Sequence, residues 1–258
     1  MKPAVDSDPW IVRTRPQMAA KVRLFCFPYA GGGASVYRTW GDVLPPSIEV
    51  CAIQLPGRER RLAEPAFRSM APLTAALTEA LEPYLDRPFA LFGHSMGATI
   101  AYEVARRCQS ELRRRVCCLL VSGRSAPQIS LSDPATYCLP DDDFVAEIRQ
   151  LDGTPEEVLA NAELMALMIP LLRADFELIE TYRQLPGERL DCPVFTFGAE
   201  DDVEVGREEL AAWQEITTND RSTEPLMFHG GHFFLHSQQQ ALTRAIASAI
   251  FESMQRRW

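Results

Sequence analysis

Six short apolar runs punctuate the chain, at residues 22–27, 50–55, 89–92, 116–122, 194–197 and 225–228. Each is of strand length and most are apolar on both faces, which is how strands buried inside a parallel sheet read. Between several of them lie stretches with apolar residues three and four apart, at 70–84 and 98–108, and a further stretch at 238–255 predicts a closing helix. The alternation predicts an α/β fold, with a mostly parallel central sheet and helices on both faces. Residues 1–20 carry Pro3, Pro9 and Pro16 and no periodicity, and predict an irregular lead-in to one domain over 21–258.

One connection is too long for this scheme. About 70 residues separate Ser122 from Val194, where a complete βαβ unit needs only about 30. The excess predicts an insertion over about 125–190. It holds a helix at 142–151, a second helix start at Thr154-Pro155-Glu156-Glu157, and a third helix over 162–183 that Pro170 should kink. Leu164, Met165, Leu167, Met168, Ile169, Leu171 and Leu172 crowd the third. They suit either a core helix or a lid that turns apolar surface toward a ligand.

Composition narrows the class. The 258 residues are 47% hydrophobic and 24% charged, with 26 basic against 35 acidic side chains and a net charge of -9. An acidic chain whose only lysines are Lys2 and Lys21 argues against a nucleic-acid binder. No apolar run is long enough to span a membrane, and the first residues lack the apolar core of a secretory signal. The cysteines number seven and have no C-x-x-C spacing. They predict buried reduced thiols in a cytoplasmic protein, with no metal site.

The chemistry is concentrated at Gly93-His94-Ser95-Met96-Gly97, a G-x-S-x-G element between a predicted strand and a predicted helix. Such a turn presents the serine hydroxyl above the sheet and aims backbone N–H groups of the helix start at the same point. A serine hydroxyl needs a base, and the base an orienting acid, which in the α/β-hydrolase fold follow in the order Ser, acid, His. The run at 194–197 leads into Glu200-Asp201-Asp202, and the run at 225–228 leads into His229-Gly230-Gly231-His232. His232, in the glycine-rich loop, is the expected base. Asp201 is the expected acid, with Asp202 and then Glu200 as alternatives. His94 should point away from Ser95, His229 should end a strand, and His236 should begin the last helix. Two donors are needed for the oxyanion of a tetrahedral intermediate. One is the Met96 N–H, and the other should come from the loop Pro28-Tyr29-Ala30-Gly31-Gly32-Gly33. That loop has neither G-x-G-x-x-G nor G-x-x-x-x-G-K-[ST], so a nucleotide site is not expected.

These motifs together resemble the type II thioesterases, the free-standing editing hydrolases of non-ribosomal peptide and polyketide synthases. The resemblance runs through residues 24–32, Gln54-Leu-Pro-Gly-Arg-Glu-Arg60, the elbow at 93–97, Leu172-Arg-Ala-Asp175 and Gly230-Gly-His-Phe-Phe-Leu235. It implies hydrolysis of acyl groups from the phosphopantetheine arm of acyl or peptidyl carrier protein domains. It further implies the triad Ser95, Asp201 and His232, oxyanion donors at Ala30 and Met96, a helical lid and no cofactor. The family's acid is usually followed by proline, whereas Asp202 follows Asp201 here. The animal medium-chain acyl thioesterase of fatty acid synthesis is similar too. A general ester hydrolase and a non-catalytic carrier-protein binder are further alternatives on this fold. Arg58-Glu59-Arg60-Arg61 follows the run at 50–55, at the end of the sheet where ligands bind. It is a candidate docking patch for an acidic carrier protein, or else solvated surface and internal ion pairs. Arg106-Arg107 and Arg113-Arg114-Arg115 are expected at the opposite end.

Overall fold

The computed structural model describes residues 8–129, 135–151, 153, 156–221 and 223–255. Seven strands run in the order β1-β3-β2-β4-β5-β6-β7: β1 Ile11–Val12, β2 Val22–Phe27, β3 Ile48–Ile53, β4 Phe89–His94, β5 Leu119–Ser122, β6 Val194–Ala199 and β7 Leu226–Phe228. All neighbours are parallel except β1, which pairs antiparallel with β3 through Ile11 and Ile53. The helices are α1 Trp40–Val43, α2 Met70–Leu81, α3 Met96–Ser110, α4 Asp141–Gln150, α5 Glu156–Leu159, α6 Ala162–Glu180, α7 Arg207–Ala211, α8 Phe234–Ser237 and α9 Gln239–Gln255.

Strand alternation divides the interior in two. Phe25, Phe27, Leu91 and Val121 join α2 and α3 in one cluster, while Leu24, Cys26, Phe92 and Leu120 join α1 and α9 in the other. Both faces are covered, which is why the strands read as near-continuous apolar runs. Arg23 and Glu49, opposite each other on β2 and β3, are buried and ion-paired at 2.9 Å. Six of the seven cysteines are buried and Cys138 is exposed. Burial pushes the thiols of Cys26 and Cys51 well up, and that of Cys108 to about 12.

Two expectations change. The segment before Ala20 is not wholly irregular, since it contributes β1, and Trp10 beside it lies under the Arg61 guanidinium at 4.1 Å. A two-residue strand is too short to leave a period in the sequence. The second concerns extent, since α6 ends at Glu180, short of the expected 183, and runs unbroken through Pro170. The proline removes one backbone hydrogen bond, while Met165 before it and Leu172 after it both anchor in a lid cluster with Phe144, Ile148 and Leu159. The expected cap at Thr154-Pro155 lies outside the described residues. The next helix, α6, is capped by Asn161, its side chain accepting from the Glu163 and Leu164 N–H groups at 3.1 Å.

The start of α3 is pressed against the end of β2. A Cβ at Gly97 would lie 2.2 Å from the Phe27 carbonyl oxygen, which is backbone and cannot step aside. Gly97→Ala is therefore expected to cost about 3 kcal/mol and to lower Tm by about 6–12 °C in a chain of this length. Calorimetry of the purified variant would read the shift.

Candidate active site

Three loops leave the same end of the sheet and meet over β4. The first is the turn from β4 into α3. Ser95 adopts φ 51° and ψ −121°, a region that L-residues rarely occupy. Such strain persists only where the surroundings hold it. Here the Ser95 N–H donates to the Ser122 carbonyl at 2.9 Å, and its carbonyl accepts from the Ala98 N–H at 2.9 Å. The result is a partly exposed serine at the head of a 15-residue helix.

The second loop follows β7 and carries His232, the expected base. His232 Nδ1 lies 2.9 Å from Asp202 Oδ2, with 10% of the His232 side chain and none of the Asp202 side chain exposed. The other Asp202 oxygen accepts from the Glu204 N–H at 2.9 Å, which fixes the carboxylate. The contact with His232 expected of Asp201 is made by Asp202. The reason is the turn that closes β6. The Glu200 N–H donates to the Phe228 carbonyl, the Asp201 N–H to that of Gly230, and the Asp202 N–H back to Ala199. The chain doubles back at Asp201, whose side chain is left in solvent, and Asp202 turns toward His232. Glu200 pairs with exposed His229 at 2.9 Å, outside this arrangement.

His94 is fully buried, with Nδ1 2.9 Å from Ser122 Oγ, and its ring centre is 5.1 Å from that of His232. Burial, reinforced by His232 and His236, holds its pKa well below the ordinary histidine range, so it stays neutral. His236 lies on α8, short of the last helix, 2.9 Å from the Tyr29 hydroxyl.

The third loop follows β2. Phe27 is in register with Gly93, so the loop through Ala30 and the turn through Met96 leave the sheet side by side. The Gly32 N–H closes a turn onto the Tyr29 carbonyl at 2.9 Å. Neither the Ala30 nor the Met96 N–H donates to an acceptor among the described residues. Gly31, at φ +76°, lies under α6, where a Cβ would meet Leu172 Cδ2 at 2.7 Å. A Cβ at Gly153, ahead of α5, would likewise meet the Phe233 ring at 2.2 Å. The insertion therefore rests on both the loop after β2 and the histidine loop. A cleft of about 240 Å³ opens beside the first turn of α3, lined by Thr99, Arg124, Ile129, Ile179, Tyr182 and Gln184 among others.

The arginine cluster proves mostly internal. Arg58 is 4% exposed, and its two terminal nitrogens meet the two oxygens of Asp175 on α6, each at 2.8 Å. Arg61 is buried against Glu64 and Trp10. Arg60 is exposed and donates to the Asp8 carbonyl at 2.8 Å. Sequence reading missed that Asp175 reaches the loop after β2, because 117 residues separate it from Arg58 and both lie inside helix or loop signatures with their own local explanations.

Residues 22–252 match the Thioesterase domain family. The chain is 43% identical over 230 residues to the gramicidin S biosynthesis protein GrsT of Aneurinibacillus migulanus, spanning 89% of each. It is 38% identical over 247 residues to the thioesterase PikA5 of Streptomyces venezuelae, spanning 95% of this chain and 87% of the relative. The solved type II thioesterase BorB from the borrelidin biosynthetic cluster superposes with a TM-score of 0.87 at 39% identity, covering 96% of this chain and all of BorB. With a strained serine elbow, a part-buried His–Asp pair and a helical insertion resting on the loops beside them, the chain belongs to the thioesterase domain family, as a serine hydrolase of α/β-hydrolase fold that acts on thioesters.

Proposed function

We propose that the protein hydrolyses acyl groups from the phosphopantetheine arm of acyl or peptidyl carrier domains, freeing arms that carry aberrant or misprimed units. The observation that carries this reading is the His232–Asp202 contact at 2.9 Å, with the Asp202 side chain wholly buried, together with a serine in the elbow conformation. Asp202 holds Nδ1 and leaves Nε2 as the ring nitrogen that serves Ser95. Ser95 Oγ attacks the thioester carbonyl while Nε2 takes its proton. The oxyanion is received by the Ala30 and Met96 N–H groups. The C–S bond then breaks, His232 returns the proton to the departing thiolate, and an acyl-serine remains. A water deprotonated by the same Nε2 repeats the attack, and Ser95 leaves with the proton. The reading uses protein groups alone and calls for no cofactor.

The cleft beside α3 is where we place the acyl group, with Ile129 and Ile179 supplying apolar surface. The reading makes the protein a cytoplasmic partner of synthase carrier domains; separately, among the described residues no helix is long and apolar enough to cross a membrane. The test is a rate comparison over one set of acyl chains, presented as carrier-bound thioesters, acyl-pantetheine thioesters and oxygen esters. The expected order of kcat/KM is carrier-bound, then pantetheine, then oxygen ester. A preference for oxygen esters, or no release from the carrier, would overturn the reading.

A further inference from the structure

The geometry points to Asp175, on the lid helix α6, as the positioning residue for the oxyanion donor of Ala30. This rests on the assignment of the Ala30 and Met96 N–H groups under Proposed function. The Ala30 N–H takes its direction from the Tyr29–Ala30 peptide plane, and the next plane anchors the turn that holds it. In the Tyr29–Ala30 plane the carbonyl accepts from the Gly32 N–H at 2.9 Å. The peptide unit is flat and trans, so the Ala30 N–H must point the opposite way, out of the turn. In the Ala30–Gly31 plane the Gly31 N–H donates to Asp175 Oδ2 at 2.8 Å. That contact crosses 144 residues of sequence and meets a glycine whose positive φ offers little steric resistance to rotation.

The carboxylate is itself fixed. Arg58 grips both its oxygens at 2.8 Å, and the same guanidinium donates to the Gly32 carbonyl at 3.0 Å and the Pro56 carbonyl at 3.3 Å. Glu59 extends the brace, accepting from the Ser35 N–H at 3.1 Å. Of the polar contacts made by the Arg58–Asp175 pair, two go to the backbone of Gly31 and Gly32. A buried ion pair is weak evidence for stability, since apolar replacements of similar volume are often as stable. Loop geometry is what this pair controls. Asp175 also sits at a junction: Leu172, one turn before it, belongs to the lid cluster, and Leu178 and Ile179, one turn after it, belong to the main core. The oxyanion donor is therefore set only when α6 is seated.

The test compares the parent enzyme, Asp175→Asn, and the double variant Arg58→Met with Asp175→Leu, each checked for folding by circular dichroism. The double variant leaves no unpaired buried charge, so it stays folded if the single variant does not. Both are expected to lose about 10²-fold in kcat on an acyl-pantetheine thioester, the size of effect expected from a small misplacement at a reacting centre. KM should move by less than about threefold, because the interaction is made in the transition state. Affinity for a trifluoromethyl ketone analogue, which forms a tetrahedral oxyanion adduct on the serine, should fall in parallel with kcat. A non-reactive thioether analogue should bind as before. A folded double variant with parental kcat, or a loss confined to KM, would overturn the inference. If the parent itself fails to bind the ketone, the serine and oxyanion assignment falls first and this inference falls with it.

Discussion

Ser95→Ala is expected to lower kcat by about 10⁶, the loss typical of a triad nucleophile. The fold should be untouched, because alanine occupies the same backbone position with the same strain, and the local bonds at Ser95 are made by its backbone N–H and carbonyl. A serine-directed phosphonate should label the parent at Ser95, read by peptide mass, and should leave the alanine variant unlabelled. Turnover near the parental rate, or labelling elsewhere, would remove Ser95 from the mechanism.

Asp202→Asn should lower kcat by about 10⁴, because an amide holds the wrong histidine tautomer and cannot stabilise the imidazolium. Its neighbour provides an internal control. Asp201 is exposed and its side chain takes no part in the contact with His232, so Asp201→Asn should stay within about twofold, as surface substitutions away from a site generally do. Both rates can be measured on one acyl-pantetheine substrate at pH 7. Reversed results would return the acid to Asp201.

The strands other than β1, the elbow and the loop that carries His232 were legible because each rests on local signals. Apolar runs of strand length mark β2, β4 and β6, and the G-x-S-x-G spacing and the glycines around His232 demand particular backbone turns. Which acidic residue meets His232 was not legible. Glu200, Asp201 and Asp202 are chemically equivalent candidates, and the choice depends on where the chain reverses after β6. That reversal is fixed by hydrogen bonds to the loop after β7, about 30 residues away. An internal ion pair was one of the readings open for Arg58, but its partner was hidden for the same reason. In sequence Arg58 heads a run of charges that also reads as surface, and only the long-range partner Asp175 turns it inward. β1 was missed because two residues carry no pattern.

The burial of the cysteines has a consequence for an enzyme of this kind. Every turnover of a thioesterase liberates a thiol, and thiols exchange with accessible sulfur through their thiolates. Cys26, Cys51 and Cys108 lie inside the two main clusters, their thiols held protonated by the apolar surroundings. Protonated, inaccessible sulfur neither attacks nor is attacked. Packing thus keeps the sulfur chemistry of the product apart from these three of the protein's own sulfur atoms, and a chain rich in cysteine can handle thiols without mixed disulfides forming in its core.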